Sequence, residues 1–288
     1  MGQEILITGA TGFIGSYVTK DLLAKGYNVT AISRKKHIDN VKVIHADVAN
    51  MDVEKIAYEV GNCDAVIHLA SCNEIHNAED TLLTNVYGSY NMIQLANKVK
   101  AKKFIFLSSV PIIGVPKDLP IKETHHERPV TEYHVSKWCA EKLIAESGNM
   151  DVLIYRIPSP IGIGMSSSNY MSCLLRNLKE NKTIEVFGSG LRIQNYIDVR
   201  DISRTIINSI SIDANGMYLL AGESISNIDL ANVCREMVGS TSKILVGERP
   251  DPEEENEWII SVEHAKKDIG FFTQYSLRDT IKCFFEGL

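Results

Sequence analysis

Long hydrophobic runs are absent from this chain of 288 residues. Its apolar stretches are strand-length, far short of the ~20 residues that cross a bilayer as a helix, so no membrane span is expected. Cysteine is sparse and scattered. Cys63, Cys72, Cys139, Cys173, Cys234 and Cys283 include no CxxC pair, which argues for reduced thiols and against a disulfide framework. His125-His126 does not suggest a metal, because two adjacent imidazoles seldom converge on one ion without further ligands. No metal is expected. Positive charge is not in excess: 30 Lys and Arg face 36 Asp and Glu, a net of −6. Neither nucleic acid nor an anionic membrane is therefore an expected partner. Proline is rare, at 8 residues, while 44% of the chain is hydrophobic. That composition excludes a disordered or collagen-like chain, and the length suffices for a sizeable core without disulfide staples. The opening MGQEILITGATG enters a strand without the basic segment and cleavage site of a signal peptide. Leu6 stands where a myristoylation signal wants Ser or Thr. The expected location is the cytoplasm.

What is present is a regular alternation. Short apolar runs at 4–7, 28–32, 41–45, 65–69, 103–108 and 152–157 read as strands. Between them lie helical patterns. Ile14, Val18 and Leu22 recur every four residues until Gly26, and further helices are predicted at 53–60, 83–99 and 132–146. The helix at 83–99 carries two apolar stripes, Val86-Tyr90-Ile93 and Met92-Ala96-Val99. A core-facing helix needs one, so the second suits a subunit contact or a doubly buried helix. The βαβ rhythm implies an α/β fold, with a doubly wound parallel sheet and helices on both faces. After residue 160 the pattern loosens. The expected division is a nucleotide-binding domain over 1–160 and a smaller, interleaved lobe over 161–288, with residues around 195–212 returning to the first domain.

Three local patterns carry chemistry. Gly9-Ala10-Thr11-Gly12-Phe13-Ile14-Gly15 joins the first strand to the first helix. Glycines there allow a tight turn and close approach to a pyrophosphate, whose charge meets the free N–H groups of the helix start. At the end of the second strand stands Ile32-Ser33-Arg34-Lys35-Lys36. An acid at this place holds the ribose of NAD, whereas Ser33 and the cations after it suit the 2′-phosphate of NADP. The cofactor is thus NAD or NADP, with NADP favoured. Finally, Tyr133 and Lys137 lie one helical turn apart on one face. A nearby ammonium favours the phenolate of a tyrosine, and Ser108-Ser109 ends the strand upstream, supplying a hydroxyl for a substrate oxygen.

In this order the patterns resemble the extended short-chain dehydrogenase/reductase family, and within it the NAD-dependent epimerase/dehydratase group acting on nucleotide sugars. The resemblance extends to Asp47-Val48, His68-Leu69-Ala70, Asn85-Val86-Tyr87-Gly88-Ser89, Arg156, the segment 188–201 and Arg249. It implies a Rossmann-type fold and a set of roles. Gly9, Thr11, Gly12, Phe13, Ile14 and Gly15 would cradle the pyrophosphate, and Ser33 and Arg34 the adenosine ribose. Asp47 and Val48 would meet the adenine. Leu69, Ala70, Ser71, Asn85, Ser108 and Pro158 would complete the cofactor path. Ser109, Tyr133 and Lys137 would be catalytic, with Tyr133 and Lys137 also touching the cofactor. Ser109, Ser159, Gln194 and Arg249 would face the sugar nucleotide.

Four departures from the family pattern bear on the reaction. Val110-Pro111 stands where dehydratases carry an acidic pair, which disfavours 4,6-dehydration. Ser159 replaces an asparagine, Gln194 a diphosphate-binding arginine, and Ile113 a tyrosine; Arg192 lies two residues before Gln194. The expected activity is epimerisation by transient oxidation at C4 of a nucleotide-activated hexose. The alternatives are an NADPH-dependent 4-keto-sugar reductase and a non-catalytic NAD(P)-binding sensor. A homodimer through the helices at 83–99 and 132–146 is implied by the same resemblance.

Overall fold

A computed structural model describes residues 2–35, 37–73, 77–148 and 150–286. Lys36, part of the basic cluster, lies outside them. The first half runs β1 (Glu4–Thr8), α1 (Phe13–Ala24), β2 (Asn28–Ser33), β3 (Lys42–His45), α2 (Val53–Val60), β4 (Ala65–His68), α3 (Ala78–Leu82), α4 (Gly88–Lys98), β5 (Lys103–Ser109), α5 (Glu132–Ala145) and β6 (Asp151–Ile157). The second half adds β7 (Ser159–Ile161), α6 (Tyr170–Lys179), β8 (Ile184–Val186), β9 (Ile193–Asp198), α7 (Val199–Asn208), β10 (Gly216–Leu219), β11 (Glu223–Ser226), α8 (Asn227–Met237), β12 (Ile244–Val246), α9 (Glu263–Ile269) and α10 (Leu277–Glu286).

The fold is the expected one. Seven strands form a parallel sheet in the order β10-β6-β5-β4-β1-β2-β3. Its inner strands are buried on both faces, as the continuous apolar runs require, while the edge strand β3 is largely exposed. Ile5, Ile7, Ile67 and Ile105 point into one core with α1 and α7 residues. Leu6, Val66, Phe104 and Phe106 point into the other with α4 and α5 residues. Each fully buried Leu or Ile contributes roughly 1.5–3 kcal/mol over its exposed state. Strand order reverses between β1 and β4, and the carboxyl ends of strands at such a switch point leave a crevice. A third core lies in the C-terminal half, between α6, α8, α10 and the three-stranded sheet β11-β9-β7.

The predicted helix at 83–99 differs in detail. It is α3, a wide π turn over Leu83–Tyr87, and α4. The wide turn directs Asn85 inward, where its side chain accepts from Ser71 Oγ (3.1 Å) and Cys72 N (2.8 Å) and donates to Cys72 O and Ser136 Oγ (both 2.8 Å). Four bonds to two other segments offset the irregular helix geometry, a pattern met at functional sites. Met92, Ile93, Ala96 and Val99 are buried, while Tyr90 is exposed.

Candidate active site

The glycine turn leaves the start of α1 open. Gly12 occupies the N-cap, and no side chain caps the helix; Gly12 N donates back to Gly9 O at 2.9 Å. Gly9 has φ +70°, and a Cβ there would lie 2.6 Å from Ala70 N. A Cβ on Gly15 would lie 2.0 Å from Gly9 O. The turn, the helix and the end of β4 therefore touch backbone to backbone, and the unpaired N–H groups of the first turn face outward with the positive end of the helix dipole. A trough of about 400 Å³ runs past them, lined by Gly9, Thr11, Gly12, Ser33, Arg34, Asp47, Val48, Leu69, Ala70 and Ser71. These residues fit a dinucleotide: an uncapped helix start for its pyrophosphate, and a pocket between the ends of β2 and β4 for its adenosine. Phe13 and Gly15 do not line the trough. Gly15 is buried beneath the turn, and the Phe13 ring packs edge-on against Tyr17 at 6.1 Å. At the trough's edge, Arg34 is 82% exposed and 3.8 Å from Asp47. Ser33 Oγ accepts from Lys35 N at 3.0 Å.

Through Leu69 and Ser71 the trough continues into a cleft of about 700 Å³. Ser108 and Ser109 enter it from β5, Tyr133 and Lys137 from α5, Ile14 from α1, and Pro158 and Ser159 from the junction of β6 and β7. Thr131 sets where α5 begins, its hydroxyl accepting from His134 N at 3.2 Å. A buried ion cluster fixes α5 against β6. Arg156 donates from Nε (2.9 Å) and Nη2 (2.6 Å) to the Glu141 carboxylate, and from Nη2 to Glu127 (2.9 Å). Breaking such a buried pair from one side costs about 3–5 kcal/mol, so the angle at which α5 presents Tyr133 and Lys137 is firmly held.

The electrostatics of the pair depart from the simple expectation. Burial pushes the Tyr133 phenol above its ordinary value, against the opposing influence of the Ser71 hydroxyl. Burial pushes the Lys137 ammonium down to about 7, against the pull of Glu141. Lys137 Nζ rests 4.0 Å from the centre of the Phe106 ring. In this state the ammonium rests against a ring face.

Behind the cleft, His68 is fully buried and stacked on Phe106 with ring centres 5.6 Å apart. Its Nδ1 is 2.7 Å from Thr8 Oγ1 and its Nε2 3.0 Å from Ser89 Oγ. The Ser89 hydroxyl donates to Asn85 O at 2.6 Å, so Ser89 accepts from His68 Nε2–H. Nδ1 then accepts from Thr8, whose oxygen also accepts from Ala70 N at 3.1 Å. Burial and the charge of Lys137 push His68 down to about 3, so it is neutral with its tautomer set by neighbours. This chain ties the ends of β1 and β4 to Asn85. Asn85 braces Ser71 from behind and does not itself line the trough or the cleft.

At the far end the cleft meets a recess of about 260 Å³ through His134, Pro158 and Ser159; it holds Arg192, Gln194, Asn195, Glu253 and Trp258. Arg192 Nη1 is 3.4 Å from Asp251 and Nη2 contacts Glu253. With its amide oriented to satisfy both groups, Gln194 Oε1 accepts from Arg192 at 3.0 and 3.1 Å. Arg249 does not line the recess. Its guanidinium lies 3.1 Å from Glu185 and over the Phe187 ring. Among the described residues, no group of three His, Cys, Asp or Glu is placed to hold a metal ion, and no helix is long and apolar enough to cross a membrane.

Residues 5–218 match the NAD dependent epimerase/dehydratase family. The chain belongs to that family. It is 23% identical over 296 residues to a Methanocaldococcus jannaschii protein provisionally assigned as a UDP-glucose 4-epimerase, covering 96% of both chains. In structure it is similar to the UDP-glucose 4-epimerase of Thermotoga maritima, solved with UDP-glucose (TM-score 0.89, 21% identity, 99% and 98% of the two chains). It is also similar to the UDP-glucuronic acid 4-epimerase of Bacillus cereus, solved with UDP-glucuronic acid and NAD (TM-score 0.86, 20% identity, 99% and 98%). Relatives named as UDP-glucuronic acid decarboxylases and dTDP-D-glucose 4,6-dehydratases are 22–28% identical, and the chain spans 62–77% of their length.

The sequence reading of this family member passed over His134, Asn73, Asn169 and Trp258, which line the cleft or its recess. His134 had a local signal, since it adjoins Tyr133. Asn73, Asn169 and Trp258 come from separate segments that only the fold brings together.

Proposed function

We propose that the protein is an NAD(P)-dependent nucleotide-sugar epimerase that acts by transient oxidation at C4 of the hexose. The observation that carries this reading is the convergence of Ser109, Tyr133 and Lys137 in one cleft that opens into the dinucleotide trough. Family membership and the epimerases among its relatives support it. A bound nicotinamide would take a hydride from the sugar carbon and return it to the other face. Tyr133 removes the proton of the sugar hydroxyl and later gives it back. Ser109 hydrogen-bonds the same oxygen as it becomes a carbonyl. Lys137 supplies the positive charge that the buried phenolate needs, once it leaves the Phe106 face. Val110 and Pro111, at the start of a short 3₁₀ turn, offer no acid for the loss of water.

One observation favours a second reading. Arg34 is largely unengaged at the trough's edge, which suits the 2′-phosphate of NADP and hence an NADPH-dependent 4-keto-sugar reductase. The proposed division of labour gives residues 1–160 to the cofactor and 161–288 to the substrate. Residues around 195–212 return to the first part, supported by α7 packing on α1. We take the molecule to be a cytoplasmic homodimer. The exposed Leu82, Tyr87, Tyr90 and Leu143, beside the packed helices α4 and α5, support pairing.

The test is to denature the purified protein, identify any released cofactor by mass, and incubate the native protein with UDP-glucose. Retained NAD(H) with formation of the 4-epimer is the expected result. An empty site with NADPH-dependent reduction of a 4-keto sugar would replace the first reading with the second.

A further inference from the structure

We infer that Ser108 is a positioning residue for Lys137: its hydroxyl takes the ammonium once the lysine leaves the Phe106 face and holds it at the level of Tyr133. This rests on the nucleotide-sugar reading above only for its effect on turnover. Two groups in the cleft lead to it. The first is the Ser108 hydroxyl. The residue is 3% exposed, and its oxygen has no hydrogen-bond partner among the described residues. A buried hydroxyl without a partner costs free energy in the folded chain, and native proteins keep few of them. The second is the Lys137 ammonium. It is buried and rests on the Phe106 ring. Glu141, whose charge acts on it, gives both carboxylate oxygens to Arg156.

Both groups lie on one side of the sheet. Side chains alternate along a strand, so Ser108 faces as Phe104 and Phe106 do, toward α5, whose Ala140 and Ile144 share their core. Ser108 and Lys137 both line the cleft. Helix α5 connects two parallel neighbours, β5 and β6, and so runs back against them. Its first turns therefore lie toward the carboxyl end of β5. Tyr133 precedes Lys137 by four residues, about 6 Å of helix rise. Ser108 follows Phe106 by two, about 6.6 Å of strand. The two spacings match. With Lys137 level with Phe106, Tyr133 is level with Ser108, and a lysine that reaches up to its tyrosine arrives beside that hydroxyl.

The neighbouring charged and titratable groups do not supply another partner. Arg156 is the register partner of Ser108 on β6, but its guanidinium is held by Glu141 and Glu127. His68, the register partner of Phe106 on β4, is neutral, with its nitrogens engaged by Thr8 and Ser89. On α5 itself the groups are Glu141 and Tyr133. An ammonium has three donors and no acceptor. One donor goes to Ser108 Oγ, and two remain for the ligand side of the cleft. The bond is charge-assisted, and so stronger than one between neutral groups.

The test is Ser108→Ala in the full chain. Urea unfolding of the free protein should show the variant as stable as the wild type or more so, because a hydroxyl without a partner is removed. Isotope-labelled lysine side chains are then titrated by NMR, with Lys137 assigned by its loss in Lys137→Arg. The free proteins should titrate alike, at about 7. Saturation with NAD or NADP, whichever binds more tightly, should raise Lys137 in the wild type. The rise should be about one pH unit smaller in the variant, which lacks a hydrogen bond to the charged group. At a pH above both values the variant should convert UDP-glucose about tenfold more slowly, with KM little changed. A free variant clearly less stable than the wild type overturns the inference, since the hydroxyl is then structural. Loaded proteins that titrate alike overturn it too, and a tenfold loss of dinucleotide affinity beside them would make Ser108 a cofactor contact. If the titrations differ as expected but the wild type converts no nucleotide sugar, the nucleotide-sugar reading fails and the role of Ser108 stands. If the variant epimerises UDP-glucose at the wild-type rate and the titrations coincide, the reading stands and the role of Ser108 fails.

Discussion

The ammonium nitrogen of Lys137 lies 4.0 Å from the centre of the Phe106 ring. That face stabilises the charged form, whereas burial lowers the lysine to about 7. If the ammonium is the working form, kcat/KM falls as pH rises through about 7. Phe106→Leu keeps the apolar surroundings and removes the ring face. A cation–π contact of roughly 0.5–2 kcal/mol corresponds to about one pKa unit, so the limb should move to lower pH by about that much. A pH profile of kcat/KM for both proteins decides it; a limb that stays in place would show that the ring does not tune the lysine.

His68 predicts a signature in acid. Its folded pKa of about 3 lies below its ordinary value of about 6.5. The unfolded chain therefore takes up the proton first. Stability from this residue is intact above pH 6.5 and is lost as pH falls from there toward 3. His68→Gln should be less stable than the wild type at pH 7.5, because it loses the stack on Phe106 and the bonds to Thr8 and Ser89. The gap should narrow by about 2 kcal/mol at pH 5, where only the wild type suffers the proton uptake. Urea unfolding of both proteins at the two pH values measures this, and a constant gap would contradict the neutral buried assignment.

The contrast between these residues and the glycine turn shows what a sequence can carry. Gly9, Gly12 and Gly15 were legible because their signal is local: a strand, a turn and a helix in consecutive residues. So was the face shared by Tyr133 and Lys137, which helix geometry alone dictates. The sheet followed from apolar runs alternating with helical stripes. What Lys137 touches was not legible, because Phe106 lies 31 positions upstream on another strand. The bridge from Thr8 through His68 to Asn85 needs three segments and a π turn that no periodicity announces. Arg249 and Arg192 show the same limit. Both are arginines near expected substrate positions, and the partners that distinguish them, Glu185 on β8 against Asp251 and Glu253 in a loop, come from distant segments.

Arg34 separates the two cofactors. Its guanidinium is 82% exposed and only loosely paired with Asp47, so it is available to a 2′-phosphate. Hydrogen bonds to a charged group are worth about 1.5–3 kcal/mol. Arg34→Ala should therefore weaken NADP(H) by about tenfold or more and leave NAD(H) within about twofold. Fluorescence titration with both reduced cofactors tests this. Equal losses would remove the 2′-phosphate assignment and, with it, the main support for the reductase reading.

Tyr133→Phe isolates the proton transfer from everything else in the cleft. The substitution removes one oxygen and keeps the ring, and α5 remains held by Glu141 and Arg156. The trough does not include Tyr133, so dinucleotide affinity should stay within about threefold, as for the loss of one ordinary hydrogen bond. Turnover should fall by roughly 10²–10⁴, the usual contribution of a positioned acid–base group, with KM for the nucleotide sugar little changed. That split matters more than the loss itself. A fall in kcat alone identifies the phenol as the proton carrier, while a rise in KM with kcat preserved would make it a binding group. Turnover equal to the wild type would sink the mechanism and return the search for the base to His134, the neighbouring ring at 5.3 Å.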